Sequence, residues 1–117
     1  MSCTDRKIDY LRRHIPSFAC APGCHDCCGP VTASAEELSR LPEKSEAEHD
    51  AALAEYNCVY LGPNGCEVYE QRPLICRVFG TSKRLACPRG CGPEQPIDEE
   101  IERQVHGLIA STRQRLL

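Results

Sequence analysis

Ten cysteines in 117 residues are the part of this sequence best equipped for chemistry. Cys3 stands alone near the start. The other nine group as Cys20, Cys24, Cys27 and Cys28, then Cys58, Cys66 and Cys76, then Cys87 and Cys91. The first group is the tightest and reads Cys20-Ala21-Pro22-Gly23-Cys24-His25-Asp26-Cys27-Cys28. A metal ion needs thiolate sulfurs converging to ~2.3 Å of it. Short loops with Gly23 and Gly29 let the chain curl so that successive sulfurs point inward. Gly also leaves backbone N–H groups free to approach sulfur, which tunes thiolate basicity and potential.

The spacing bears on which metal. A structural zinc site usually pairs two C-x2-C knuckles. Cys24 and Cys27 make one, but Cys87 and Cys91 have three residues between them and make no second. Cys20-x3-Cys24-x2-Cys27 presents three thiolates from one loop. That is similar to the loop holding a four-iron cluster in radical enzymes that use S-adenosylmethionine. Those enzymes need a large barrel that 117 residues do not supply, so only the loop geometry carries over. The adjacent pair Cys27-Cys28 is hard to place on one tetrahedral zinc and easier at a polynuclear centre. An iron–sulfur cluster of the four-iron type is therefore favoured, with zinc as the alternative. A metal-free thiol-redox role is a third reading, motivated by the same adjacent pair. Catalysis by a nucleophilic Cys needs a base in reach. Cys24-His25 is adjacency in sequence only, so no enzyme is expected. His25 is more simply a solvent-facing loop residue than a ligand. His14, His49 and His106 fall on surface helix positions.

Elements must position these groups. Ile8, Leu11 and Ile15 predict a helix from Thr4, as N-cap, to Ile15, stopped by Pro16. Ser34 and Glu37 have capping-box spacing, as do Ser45 and Glu48, which opens a helix to about Tyr56. Cys58-Val59-Tyr60-Leu61 and Cys66-Glu67-Val68-Tyr69 flank Gly62-Pro63-Asn64-Gly65 and predict a small hairpin. Pro73 suits the first position of a short helix through Phe79, ended by Gly80. Ile101, Val105, Leu108, Ile109, Thr112 and Leu116 predict a long C-terminal helix over 98–116, with acidic residues at its start and Arg113 and Arg115 at its end. The expected fold is a small irregular α+β metal-binding domain. Short helices and a small β-hairpin surround cysteine-rich loops in one domain, residues 1–117, with its core at 20–91 and the helix beyond.

Composition agrees. With no Trp, two Phe and one Met, the apolar inventory is thin, and thin cores usually rely on disulfides, metal or association. Met1 to Ile15 has no apolar stretch or small-residue cleavage site, so no secretory signal is expected, and no run is long enough to span a membrane. A cytoplasmic location follows as an expectation, and there dense cysteines more often bind metal than form disulfides. The net charge of −3 argues against a nucleic-acid partner.

Together these residues resemble the CxxCxxCC (YkgJ-type) cysteine-cluster family of zinc- or iron-chelating domains. Cys20 to Cys28 matches its signature, with one additional residue between the first two Cys. Thr32 to Leu41 resembles the short acidic helix that follows. Cys58 to Phe79, containing Arg72-Pro73-Leu74-Ile75-Cys76-Arg77, resembles its second block, and Cys87 its later Cys. The resemblance implies metal chelation and no particular reaction. On it, the ligands are Cys24, Cys27, Cys28, Cys58, Cys66, Cys76 and Cys87, then Cys20, with Cys91 and Cys3 last. Arg72 and Arg77 flank Cys76. They either neutralise a thiolate centre, which is a net anion even around zinc, or pair at the surface with Glu67 or Glu70. Tyr60, Tyr69 and Phe79 are expected as core around the metal.

Overall fold

The computed structural model of the chain describes residues 2–18 and 29–116. Within them run α1 (Cys3–His14), β1 (Thr32–Ser34), α2 (Ala35–Leu38), α3 (Glu46–Ala54), β2 (Leu61–Gly62), β3 (Gly65–Cys66), α4 (Leu74–Val78), α5 (Glu99–Ser111) and β4 (Gln114–Leu116). Single 3-10 turns lie at Tyr69–Gln71 and Lys83–Leu85. The class is α+β, with five helices and two antiparallel two-stranded sheets among the described residues. None of those helices is long and apolar enough to cross a membrane.

Three helices start on capping boxes. In each, a serine side chain accepts the N–H three residues on, and that residue's carboxylate accepts the serine N–H. The pairs are Ser2–Asp5, Ser34–Glu37 and Ser45–Glu48. The sequence placed the cap of α1 at Thr4. Ser2 takes it instead because Asp5 stands at the position that closes the box. At the other end Pro16 cannot continue the helix. α4 begins one residue later than expected, with Pro73 as its N-cap.

The main core joins α1, α4 and α5. Ile8, Leu11 and Ile15 meet Leu74 and Val78, and Ile97, Ile101, Val105 and Leu108 close over them. Each fully buried side chain of this kind contributes about 1.5–3 kcal/mol relative to exposure. A second cluster, Ala33, Leu41 and Tyr60, is flanked by half-buried Val31, Leu38, Cys58 and Val68. The hairpin is present but short: Leu61 faces Cys66 and Gly62 faces Gly65. Gly65 has φ 109°, which a residue with a Cβ rarely adopts.

The long helix expected over 98–116 is corrected. α5 stops at Ser111, and Gln114–Leu116 forms β4, antiparallel to β1 with Ala33 opposite Arg115. Ser111 and Thr112 end it, since both hydroxyls donate to the Leu108 carbonyl, at 3.2 and 2.7 Å. Such side-chain bonds compete with the next helical turn. Strand pairing then satisfies backbone groups of β1 that would otherwise lack partners. Leu116, expected on the apolar stripe, is half exposed.

Candidate metal centre

Three of the cysteines singled out in the sequence meet at one small cavity of about 50 Å³. Its walls are Gly29, Val31, Cys58, Leu61, Cys66, Arg72, Cys76 and Phe79. Each thiol is delivered by a different element. Cys58 sits on a tight turn in which its carbonyl accepts Leu61 N–H at 3.0 Å and its Sγ accepts Tyr60 N–H at 3.5 Å. Cys66 lies in β3, opposite Leu61. Cys76 lies in α4.

The position of α4 depends on a residue the sequence reading took only as a cap. Glu37 Oε1 closes the capping box on Ser34. Its Oε2 reaches across and accepts Leu74 N–H, at the start of α4, at 2.7 Å. A buried carboxylate thus fastens the helix that carries Cys76. A glutamate at the third position of a capping box, before an apolar run, gave no signal of this second bond.

The electrostatics suit a cation. Burial pushes the Cys58 thiol above its ordinary value of 9.0. The Tyr60 N–H pulls it down, and negative charge on Cys66 raises it again. Half-buried thiols that repel each other when ionised are relieved by a soft cation, so the donor set fits a thiolate-binding metal. Among the described residues, however, no group of three or more His, Cys, Asp or Glu side chains is arranged to hold an ion.

The remaining expected ligands Cys20, Cys24, Cys27 and Cys28, and also His25, lie outside the described residues. One flank of that segment is in the cavity wall. Gly29, which follows Cys28, is part of the wall. Phe18, which precedes the segment, packs its ring against Gly80, next to the wall residue Phe79, where a Cβ would overlap the ring. Gly80 has φ 82°, so this contact and the backbone both require glycine.

Cys87 and Cys91 are half-buried in the loop after the second 3-10 turn, outside the cavity's described lining. Cys87 Sγ accepts Arg89 N–H at 3.4 Å. Cys3 is an exposed thiol at the start of α1. Phe79 is at the cavity as expected, and Tyr60 is buried, its hydroxyl donating to the Pro42 carbonyl at 2.6 Å. Tyr69 departs from expectation. It is 40% exposed, because the Arg72 guanidinium lies over its ring at 3.9 Å and holds it outward.

The surface pairing of Arg72 or Arg77 with Glu67 or Glu70 is not made. The Glu67 carboxylate sits 3.4 Å from Lys44. Arg72 Nε donates to the Tyr69 carbonyl at 3.0 Å and Nη1 to the Cys76 carbonyl at 3.4 Å. Arg77 Nε donates to the Arg72 carbonyl at 3.0 Å, and its Nη2 to the Glu70 carbonyl. Burial, then Arg12 and Arg72, hold the Arg77 pKa below the ordinary arginine value.

Comparison with known proteins gives one family. No curated protein and no solved structure matches the chain. A family match covers residues 19–102, a span that holds nine of the ten cysteines and every wall residue of the cavity. The family is described as a "putative zinc- or iron-chelating domain", so membership supports metal binding. With thiols on three elements around one cavity and this match over most of its length, the chain belongs to the CxxCxxCC family.

Proposed function

We propose that this chain holds an iron–sulfur cluster, of the four-iron type, between its two cysteine blocks, and acts in the cytoplasm in electron transfer or in redox or metal sensing. The observation that carries the reading is the shared cavity of Cys58, Cys66 and Cys76, with Gly29 in its wall directly after the Cys20–Cys28 segment. The proposed ligands are drawn from Cys20, Cys24, Cys27, Cys28, Cys58, Cys66 and Cys76, with Cys87 as an eighth thiol. That set exceeds the four a single tetrahedral ion takes. An iron–sulfur cluster supplies one-electron chemistry when bound. The chain's residues do the rest: Tyr60 N–H donates to the Cys58 sulfur, Phe79 and Val31 close the wall against water, and Arg72 places a cation beside it.

Zinc in a structural or interaction module is the second reading, favoured by the small size of the cavity, which suits one ion. Protein purified without oxygen and analysed for metal, acid-labile sulfide and visible absorption separates the two. Brown protein with iron and sulfide is expected. Colourless protein with stoichiometric zinc decides for the second reading, and protein with neither removes both.

A further inference from the structure

The turn leading into Cys76 gathers three arginines on backbone carbonyls. Arg12 Nη2 donates to the Glu70 carbonyl at 2.9 Å, and Arg77 Nη2 donates to the same oxygen. Arg12 Nη1 reaches Gln71 Oε1 at 3.2 Å. Arg77 Nε holds the Arg72 carbonyl, and Arg72 Nη1 holds the Cys76 carbonyl. Two guanidiniums on one oxygen, with a third beside them, repel one another. Among the described residues none of the three forms an ion pair, while Arg40, Lys44 and Arg103 all do. The Glu70 carboxylate lies near enough to act on Arg77, but three guanidiniums outnumber it and favour a further anion beside them. The cavity offers the place for one, since Arg72 is in the same wall as Cys58, Cys66 and Cys76.

We propose that Arg72, backed by Arg77 and Arg12, is the counter-charge of the thiolate centre, a set of positioning residues that stabilises an anionic metal–thiolate assembly without ligating it. The inference rests on the metal-centre reading and adds to it which residues balance its charge. Arginine suits the task. It has no acceptor atom and stays protonated, so it cannot compete with sulfur for the metal. Its planar fork is fixed here by the carbonyls and by the Tyr69 ring. Positive charge here favours the loaded state when the occupant carries several thiolates.

Co2+ is a suitable probe, because its absorption bands report thiolate coordination. Full-length protein is titrated with Co2+ against a chromophoric chelator, without oxygen, as wild type, Arg72→Gln, Arg72→Lys and Arg12→Gln. Arg72→Gln is expected to weaken Co2+ binding roughly tenfold with the band positions unchanged, and Arg72→Lys to recover most of the loss. Arg12→Gln, outside the cavity wall, should weaken it about threefold. Thermal midpoints give a second readout that a merely structural role would not produce. Arg12→Gln should lower the midpoint of Co2+-loaded protein while leaving the metal-free midpoint equal or higher. Wild-type affinity in Arg72→Gln, no recovery in Arg72→Lys, or equal losses in both midpoints would overturn the proposal alone. Wild-type protein that takes up no Co2+ on its thiols removes the metal reading with it.

Discussion

Glu37 places its two carboxylate oxygens on different elements, Ser34 on one side and the first N–H of α4 on the other. Glutamine keeps the shape but presents an NH2 to one of those partners. Glu37→Gln is expected to destabilise the fold by about 1–3 kcal/mol in urea unfolding, the penalty of a buried group left without its bond. It should also reduce metal retention, since α4 bears Cys76. The cysteines themselves divide by position. Cys66→Ser should abolish or deplete bound metal, measured by elemental analysis, whereas Cys91→Ser should leave it near the wild-type content, because Cys91 lies outside the cavity's described lining. Individual residue types were readable here because thiols are few in kind and unambiguous. Cys58, Cys66 and Cys76 stood out from spacing and resemblance, and they do share a cavity. The second bond of Glu37 was invisible, because a capping glutamate has the same sequence signature with or without a distant partner.

At the scale of elements, local rules carried most of the reading. Capping boxes, Pro16 and the glycine turn act within a few residues, so α2, α3, the hairpin and α4 fell close to their expected places. α5 was overextended because Thr112 and Leu116 continue a helical period, while the Ser111 and Thr112 hydroxyls end the helix at the Leu108 carbonyl and the chain beyond pairs with a strand some 80 positions away (Ser34 opposite Gln114). No local pattern encodes that pairing. α5 is tied to the turn at Lys83–Leu85 through Glu102, which accepts Ser82 Oγ at 2.7 Å and stands 3.3 Å from His106. The Ser82 bond holds the Glu102 carboxyl below its ordinary 4.5, and His106 adds to this. A depressed carboxyl contributes stability above the unfolded value that is lost as pH falls through the folded one. Thermal midpoints should therefore decline as pH drops below about 4.5, and Glu102→Gln should flatten that decline. Gly80 is the other element-scale test. Gly80→Ala requires an alanine at φ 82° and displaces the Phe18 ring, so a loss of roughly 1–3 kcal/mol is expected in thermal or urea unfolding.

At the scale of the molecule, the thin apolar inventory resolves, among the described residues, into two clusters rather than one large core, with the cavity bordered by the second through Cys58. Chelation should then act on the fold as well as on the site. Protein stripped of metal is expected to unfold at lower urea than loaded protein, followed by circular dichroism. The contact of Phe18 with Gly80, together with Gly29 in the cavity wall, has a consequence for the rate and stoichiometry of loading. Four thiols lie on the ten residues 19–28, whose flanks Phe18 and Gly29 are each held by contacts with the rest of the chain. Most of the entropy of closing that segment is lost when the protein folds, before any ion arrives. If these four thiols ligate as proposed, so short a linker would supply them to the cavity at an effective concentration on the order of millimolar. A ligating sulfur would then be recaptured sooner than a free thiol could replace it. Exchange with external chelators should accordingly be slow, and a substitution that releases Phe18 from Gly80 should speed it even where the equilibrium affinity changes little.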